Sequence, residues 1–401
     1  MKIIYLFTSP SLLGSSVQTK VLNQIKYINK SGADCIGAFF SSEINRFTQL
    51  NERVELIPIE KCNWKYFRSI GRSIKTMQAV LNYVKVNYDK IDYFYFRYPG
   101  ASSSLKKFIS LYGNKTIFEH LCIEEFELKL HAKENPFGIK PSKFLSWLEY
   151  NAIPLWREKM YGRFIRRHAK LGICNSEDIA IFQTKKGGGK YKCIIGGDAV
   201  DVISFPLSER LHFKDELRLI FLKGANTNAY YNGLDRVFEG LKNYKGDMKI
   251  QLFVLGLNTE YEKKLSKQFG ILYSKVFFPG FIHGEELNNF FNSMHLGVSQ
   301  FGIHRKGLNS NSTIKSREYI ARGLPTIVGH NDPDFNDTAK DFLLQFPNDD
   351  SAIEMEKVIE FANKTLSDPE LPQKMRRYAE KYLDYEVKMK KLYQILLDLK
   401  N

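Results

Sequence analysis

The sequence predicts an α/β protein built from two doubly wound domains, each with a parallel sheet. Three observations lead to this prediction. The chain has 401 residues, which is more than one hydrophobic core usually organises. Short apolar runs alternate with helical patterns along most of its length. The alternation pauses around Pro206 and then restarts, so the pattern occurs twice.

The first half opens with a strand–loop–helix–strand unit. The run KIIYLF predicts a buried strand, and Val17, Val21, Ile25 and Ile28 follow it at helical spacing. Gly32 can cap the end of this helix, and DCIGAFF predicts the next strand. Because such βαβ units form parallel sheets, the later apolar runs of this half predict further parallel strands. These runs lie at 93–97, 115–120, 169–176 and 190–197, with a helix over 102–113.

The second half repeats the alternation. Its predicted strands are 217–224, 248–256, 275–280, 296–301 and 326–328, and its predicted helices are 233–244, 259–270, 285–294 and 314–322. Ser312 or Thr313 can cap the start of the 314–322 helix, and Gly323 can take the left-handed conformation that ends it. The segment 341–348 and two long helices close the chain.

This pattern predicts domains over 1–205 and 206–380, and a C-terminal helix over 381–401 that returns toward the first domain. Open α/β sheets bind ligands outside the carboxyl ends of their strands. We therefore expect the two domains to face each other across a cleft and to bind their substrates there.

Composition narrows the choice of partners. The net charge is +15, which favours anionic partners: nucleic acid, anionic lipid or phosphorylated small molecules. No nucleic-acid-binding motif accompanies the charge, so nucleic acid is not expected. The five scattered cysteines fit a reducing cytosol. The N-terminal run is a first strand rather than a signal peptide, and no window approaches the ~20 apolar residues of a membrane span.

The stretch NSNSTIKSREYIARGLPTIVGH, residues 309–330, has the features of an anion site. A helix N-terminus preceded by Asn, Ser and Thr offers free N–H groups and hydroxyls. Lys315 and Glu318 lie three residues apart on one helix face. Glu318 suits the diol of a ligand whose phosphate lies at the helix start. The alternative is that Glu318 pairs with Lys315 or Arg322 on a solvated face.

The segment IKSREYIARGLPTIVG also resembles the nucleotide-sugar segment of glycosyltransferase family 4, whose members have two Rossmann-like domains in the GT-B fold. Glu318 matches the second Glu of the family motif, which holds the nucleotide ribose. Ser310 stands where the first Glu, which contacts the donor sugar, is usual. The resemblance assigns Ser310, Ser312, Thr313, Lys315 and Glu318 to the donor site.

Other segments carry the same resemblance over nearly the whole chain. PGFIHGEELNNFFNSMHLGVSQF and GGDAVDVISF are similar to family motifs that flank the donor site. NGLDRVFEGL places Asn232 at the usual diphosphate-binding Lys, and FLKGAN places Lys223 near the other basic diphosphate ligand. SLLGSSVQTK, with Gly14, resembles the first Gly-containing loop that faces the donor phosphates. The whole pattern is most similar to bacterial transferases of capsule, exopolysaccharide and O-antigen synthesis.

The resemblance implies a glycosyltransferase that moves a sugar from a nucleotide-sugar donor, UDP or GDP, to a glycan or lipid-linked acceptor with retention. It also implies that the first domain, 1–205, binds the acceptor and the second, 206–380, binds the donor. The resemblance also implies that no cofactor and no metal are needed, because enzymes of the type B fold usually act without a metal. Arg305 and Lys306 could neutralise the leaving diphosphate, or they could be solvated surface charges. His120 and Glu119 could transfer a proton on the acceptor side. A structural role for His120 is the alternative.

Two questions stay open at the level of the sequence. Residues 142–170 combine aromatic and basic side chains, so they could bind an anionic membrane surface or form a helix with a basic outer face. The protein would accordingly be cytoplasmic, free or peripheral on the inner face of the cytoplasmic membrane. Two alternatives to a transferase are a sugar-nucleotide epimerase on the same fold and a non-catalytic binding protein.

Overall fold

The computed structural model describes residues 1–8, 16–42, 53–134, 141–209, 215–224, 230–257, 259–335 and 337–400. The chain divides into two units, one of Met1–Gly197 with Met389–Asn401 and one of Asp198–Lys388. Each unit contains one parallel sheet with helices around it, which confirms the predicted α/β class. None of the helices in the described ranges has the length and apolar character that crossing a membrane requires.

The sheet of the first unit has seven parallel strands. They are β1 (Lys2–Phe7), β2 (Asp34–Ser41), β3 (Val54–Pro58), β4 (Tyr93–Arg97), β5 (Thr116–His120), β6 (Leu171–Cys174) and β7 (Cys193–Ile195). Their order is β3-β2-β1-β4-β5-β6-β7. The sequence predicted every strand except β3. This edge strand is half exposed, so it lacks the continuous apolar run of the central strands.

Helices cover the faces of this first sheet. They are α1 (Ser16–Lys30), α2 (Arg68–Asn87), α3 (Ser103–Tyr112), α4 (Glu124–Glu134), α5 (Pro141–Trp147), α6 (Ile153–His168) and α7 (Glu177–Lys186), with a π-helical turn (Leu148–Ala152) that joins α5 to α6. One core packs Phe94, Phe96 and Phe118 of the central strands against Phe108 of α3. Their burial follows from the run of aromatic residues on strands covered on both faces.

The second sheet has six parallel strands. They are β8 (Glu216–Leu222), β9 (Lys249–Leu255), β10 (Val276–Gly280), β11 (Leu296–Val298), β12 (Thr326–Val328) and β13 (Leu343–Gln345). Their order is β10-β9-β8-β11-β12-β13. Strand order therefore reverses between β8 and β11, and this is the point at which doubly wound sheets bind ligands. Residues that follow β8 and β11 are consequently the first candidates for a site.

Helices of the second half of the chain confirm the predicted pattern, with one difference. They are α8 (Leu234–Asn243), α9 (Glu260–Gln268), α10 (Gly284–Phe291), α11 (Ile314–Ala321), α12 (Met355–Leu366), α13 (Leu371–Tyr378) and α14 (Tyr385–Asp398). The sequence predicted two long closing helices, but the structure has three. Pro372 stands in the first turn of α13, where its missing N–H is tolerated, and it therefore marks a new helix start.

Candidate functional site

The start of α11 lies beside the end of β11, at the reversal of strand order in the second sheet. Thr313 is the N-cap, as predicted, and its Oγ1 accepts a hydrogen bond from the N–H of Ser316 at 3.4 Å. The hydroxyls of Ser299, Thr313 and Ser316 lie within 2.6 to 3.2 Å of one another. These hydrogen bonds hold the start of α11 against the end of β11. At the other end Gly323 takes the predicted left-handed conformation, with φ of 75°.

Lys315 is a partly buried cation in the first turn of α11. Its Nζ lies 3.8 Å from the centre of the Phe221 ring on β8. Within the part of the chain that the structure describes, no carboxylate lies within ion-pair distance of it. Burial lowers the pKa of Lys315 to about 7. The helix start thus combines free N–H groups with an ammonium group that has no counter-ion.

Glu318 lies one turn further along α11. Its Oε1 accepts from Nε of Arg322 at 3.0 Å, and Nη1 of Arg322 donates to Asn288 Oδ1 at 2.8 Å. Burial raises the pKa of Glu318, and Arg322 partly offsets this effect. Of the two ion pairs that the sequence allowed, the structure forms the one with Arg322. The assignment of Glu318 to a ribose stays a prediction.

His330 is a second buried polar residue near this site, and the sequence analysis did not single it out. It follows β12, the neighbour of β11 in the sheet. Its Nδ1 lies 3.1 Å from the backbone oxygen of Gln300, and its Nε2 has no hydrogen-bond partner among the described residues. Burial lowers the pKa of His330. A buried ring nitrogen without a partner indicates that a ligand or water completes its surroundings.

Arg317 anchors α11 and was also missed by the sequence analysis. Its guanidinium is fully buried and pairs with both oxygens of Asp332, at 2.6 and 2.7 Å, and with Asp334. Nε of Arg317 donates to the backbone oxygen of Asp198 at 3.0 Å. These contacts connect α11 to the segment of Asp332 and Asp334, and to Asp198, which is distant from the helix in the chain. The only signal in the sequence was an arginine beside the apolar Tyr319 and Ile320.

Two of the predicted diphosphate ligands are already engaged with protein groups. Lys223 follows β8, and its Nζ lies 2.8 Å from Oε2 of the buried Glu262. Asn232 is buried before α8, and its backbone oxygen accepts from the N–H of Phe301 at 2.9 Å. Both residues lie on segments that follow or adjoin β8. Their roles toward a ligand stay predictions.

The remaining donor-site residues differ in their surroundings. Ser310 forms an isolated parallel bridge with Asn331. Ser312 is buried, and its Oγ accepts from the N–H of Asp198 at 2.6 Å. Gly14 lies outside the described residues. Ser310 and Ser312 lie in the loop before α11, and their roles toward a donor stay predictions.

Arg305 and Lys306 lie on a 3₁₀ turn, Ile303–Lys306, in the loop between β11 and α11. Arg305 donates to both oxygens of Asp235, at 2.9 and 2.6 Å, and to Asp350. Burial alone would lower the pKa of Arg305, but the hydrogen bonds to the two carboxylates raise it above its usual range. Nζ of Lys306 lies 3.7 Å from the centre of the Tyr231 ring. In this conformation Arg305 is neutralised by protein carboxylates.

Glu119 and His120 end β5 in the first unit, and consecutive residues of a strand point to opposite faces. Glu119 accepts from Gln24 Nε2 at 2.8 Å and lies 3.3 Å from Lys20 Nζ. His120 is fully buried, with Tyr191 OH 3.0 Å from its Nε2 and Glu124 Oε1 3.1 Å from its Nδ1. Burial lowers the pKa of His120. The structure therefore separates the two residues, and their catalytic roles stay predictions.

Solved structures with the same fold are similar to this chain along its whole length. The sucrose-phosphate synthase of Thermosynechococcus elongatus has a TM-score of 0.69 at 12% identity, covering 100% of this chain and 99% of that one. HepE from Anabaena in complex with UDP has a TM-score of 0.63 at 12% identity, covering 99% and 100%. The lipopolysaccharide outer core galactosyltransferase WaaB has a TM-score of 0.60 at 13% identity, covering 99% of this chain and 100% of that one.

These similarities confirm the GT-B fold that the sequence predicted. Other structures of HepE contain UDP with glucose, or UDP-glucose. No family model and no curated protein matches the chain. At such low identities, the comparison establishes the fold and leaves substrate and mechanism to the residues themselves.

Proposed function

We propose that this protein is a glycosyltransferase that transfers a sugar from a nucleotide-sugar donor to a glycan or lipid-linked acceptor. The observation that carries the proposal is Lys315. An ammonium group that is partly buried without a counter-ion is unfavourable unless an anion joins it. Its place in the first turn of α11, at the reversal of strand order, is where a doubly wound sheet binds phosphate. UDP and UDP-glucose in HepE structures of the same fold support a nucleotide-sugar ligand.

The chain would act by holding the diphosphate and stabilising it as it leaves. The free N–H groups of α11 and the Lys315 ammonium would face the charge that develops on the leaving diphosphate, where electrostatic stabilisation is most effective. Glu318 would accept the ribose hydroxyls. Of the cations assigned to the diphosphate, Lys315 is better suited than Arg305, because carboxylates already neutralise Arg305. We further propose that transfer proceeds with retention, without a metal, in cell-surface polysaccharide synthesis.

Nucleotide binding should raise the thermal stability of the full-length protein. A ligand at a hundred times its dissociation constant adds about 2.7 kcal/mol of stability, so UDP- or GDP-sugars should raise the Tm by several degrees. Differential scanning fluorimetry with UDP-, GDP-, ADP- and CMP-sugars measures this. If none of the four classes shifts the Tm, the proposed function is wrong.

A variant of Glu318 makes this test specific to the site. In Glu318→Ala, the shift caused by the nucleotide-sugar should fall sharply, while the shift caused by inorganic pyrophosphate, which has no ribose, should persist. Glu260→Ala, an exposed carboxylate on α9, is the matched control and should behave as wild type. An unchanged nucleotide-sugar shift in Glu318→Ala would contradict the ribose assignment. Product analysis with acceptor glycans then distinguishes transfer from epimerisation.

The segment 142–170 supports a further part of the proposal, peripheral binding to an anionic membrane on the cytoplasmic side. Its two acidic residues, Glu149 and Glu158, are both buried. Its exposed charged residues include Lys143, Lys159, Arg163, Arg167 and Lys170, all of them basic. Large apolar side chains are exposed among them: Phe144, Tyr150, Trp156 and Met160. Basic residues attract anionic headgroups, and aromatic residues favour the interface.

Vesicle sedimentation tests this membrane surface. We expect binding to phosphatidylcholine vesicles only when they also contain phosphatidylglycerol. Arg163→Glu with Arg167→Glu should weaken it at least about thirtyfold, since each basic residue contributes about 1 kcal/mol. Lys390→Glu with Lys391→Glu, two exposed residues of α14, changes the net charge equally and should have a much smaller effect. Equal losses in the two variants would show that net charge, rather than this face, causes binding.

A further inference from the structure

The first unit contains a cavity of about 550 Å³ at the carboxyl edge of its sheet. The segment from Tyr98 to Ala101 follows β4, Cys122 follows β5, and the remaining lining comes from helices α2, α4, α6 and the π-helical turn. This volume lies within the range of pockets that bind small molecules. The position is also the one at which open α/β sheets bind ligands. Of the predicted site residues that the structure describes, none lines this cavity.

The inner part of the cavity is a rigid ionic network. Glu158 is buried and accepts from the N–H of Ala101 at 2.6 Å and from Tyr98 OH at 3.0 Å. Arg166 bridges Glu158, at 3.2 Å, and Glu124, at 2.8 Å. Burial would raise the pKa of Glu124, but Arg166 and His120 outweigh it and hold the pKa at about 2. The Glu124 carboxylate is therefore ionised, and hydrogen bonds fix both carboxylates in position.

The outer part presents hydrogen-bonding groups of both kinds. Glu127 and Glu149 line it as acceptors, and Oε1 of Glu149 also accepts from the N–H of Ser69 at 2.5 Å. Arg157 lines it as a donor and has no carboxylate within ion-pair distance among the described residues. Burial lowers the pKa of Arg157. Sugar hydroxyls both donate and accept, so they match carboxylates and a guanidinium that lie in one wall.

The charge of the cavity is opposite to that of the whole protein. Among the described residues, the carboxylates of the lining and its network outnumber the cations: they are Glu124, Glu125, Glu127, Glu149 and Glu158, against Arg157, Arg166 and Lys186. A chain with a net charge of +15 thus carries a negatively charged cavity. Such a site disfavours ligands that bring a carboxylate or a phosphate, because like charges in a confined site repel.

We propose that this cavity binds the terminal sugar of the acceptor, and that this sugar is uncharged. The proposal rests on the proposed function, since it concerns the acceptor of the transfer reaction. Acceptors that end in a uronic acid or in a phosphorylated sugar are excluded by Glu127 and Glu149. Arg157 holds the hydroxyl oxygens of the bound ring.

Ligand-observed NMR titration of the full chain with matched sugar pairs tests this inference. The pairs are glucose and glucuronate, galactose and galacturonate, and mannose and mannose 6-phosphate, without nucleotide. At least one neutral sugar should bind at least tenfold more tightly than its acidic partner. Glu127→Gln with Glu149→Gln should reduce that difference, and Glu127→Gln alone serves if the double variant does not fold. Glu60 is an exposed carboxylate outside the cavity, so Glu60→Gln should preserve the difference in affinity between the neutral and the acidic sugars.

Three results would overturn the inference: no sugar binds, the acidic sugars bind as tightly as the neutral ones, or the cavity variants leave the difference unchanged. These outcomes are distinct from a failure of the proposed function, because the titration contains no nucleotide. A nucleotide-induced Tm shift without sugar binding refutes only the cavity assignment. Sugar binding without any nucleotide-induced shift refutes the transferase and leaves a saccharide-binding cavity.

Discussion

Lys315→Met is expected to stabilise the unliganded protein and to remove most of its affinity for nucleotide-sugars. Methionine keeps the length of the side chain and can still contact Phe221, but it carries no charge to bury. The ordinary pKa of 10.5 falls to about 7 in the folded protein. Since one pKa unit corresponds to about 1.4 kcal/mol, and Lys315 is partly exposed, we expect a gain of roughly 2–4 kcal/mol at pH 6.

The pH dependence of this gain follows from the direction of the shift. Below pH 7 the lysine is charged in both the folded and the unfolded protein, so the folded protein bears the full cost of burial. Between pH 7 and 10.5 only the unfolded chain keeps the proton, and the cost decreases. The difference in unfolding free energy between Lys315→Met and wild type should therefore be largest at pH 6 and should decrease toward pH 9. Urea denaturation at several pH values measures it.

The affinity for nucleotide-sugars should also depend on pH, through the protonation of Lys315. The anion binds the protonated lysine, so the affinity of wild type should fall above pH 7, by up to about tenfold per pH unit. Lys315→Met should bind weakly at every pH. Lys340→Met removes an exposed lysine of the same unit and should change neither property. A Lys315→Met protein that is less stable than wild type, or that binds UDP-sugar with wild-type affinity, would contradict the assignment of Lys315.

Features that depend on near neighbours in the chain could be predicted from the sequence. The strands from β4 to β12 are visible in the sequence as apolar runs. Helix α11 begins after its N-cap Thr313 and ends before Gly323, which has the left-handed conformation. The alternation of strand and helix predicts parallel sheets, and the GT-B fold followed from that pattern with the family resemblance. Local spacing also placed Lys315 and Glu318 on one helix face.

Features that depend on distant partners could not be predicted. In the sequence, Arg305 has no acidic residue near it and was expected to be free to bind an anion. In the structure it pairs with Asp235, which is 70 residues away in the chain, and with Asp350, which is 45 residues away. Lys223 and Glu262 meet only because α9 packs near the end of β8. The cavity of the first unit brings together groups between Ser69 and Glu158 that share no motif. Hydrophobic periodicity contains no information about such pairings.

Arg317→Met is expected to reduce the stability of the second unit by about 3–5 kcal/mol. The guanidinium is fully buried, and its partners Asp332 and Asp334 are almost as deeply buried. Removing one member of a buried ion pair leaves the other charge without compensation, and this is more damaging than the pair itself is stabilising. Lys388 also pairs with Asp334, so Asp334 keeps a cationic partner in the variant. The buried carboxylate of Asp332, which loses Arg317, should therefore account for most of the lost stability. Thermal and urea unfolding measure the loss.

Arg305→Met is the matched comparison, because it makes the same chemical change in the same unit. Arg305 is itself buried, but the carboxylate of Asp350 is 67% exposed and that of Asp235 is 32% exposed. Water can solvate these carboxylates once the arginine is gone, so the loss should be only about 1 kcal/mol. If the two variants lose equal stability, burial of the freed carboxylates does not decide the effect. The ionic anchor of α11 would then be no more important for the fold than a surface pair, and the helix would be held by its apolar contacts.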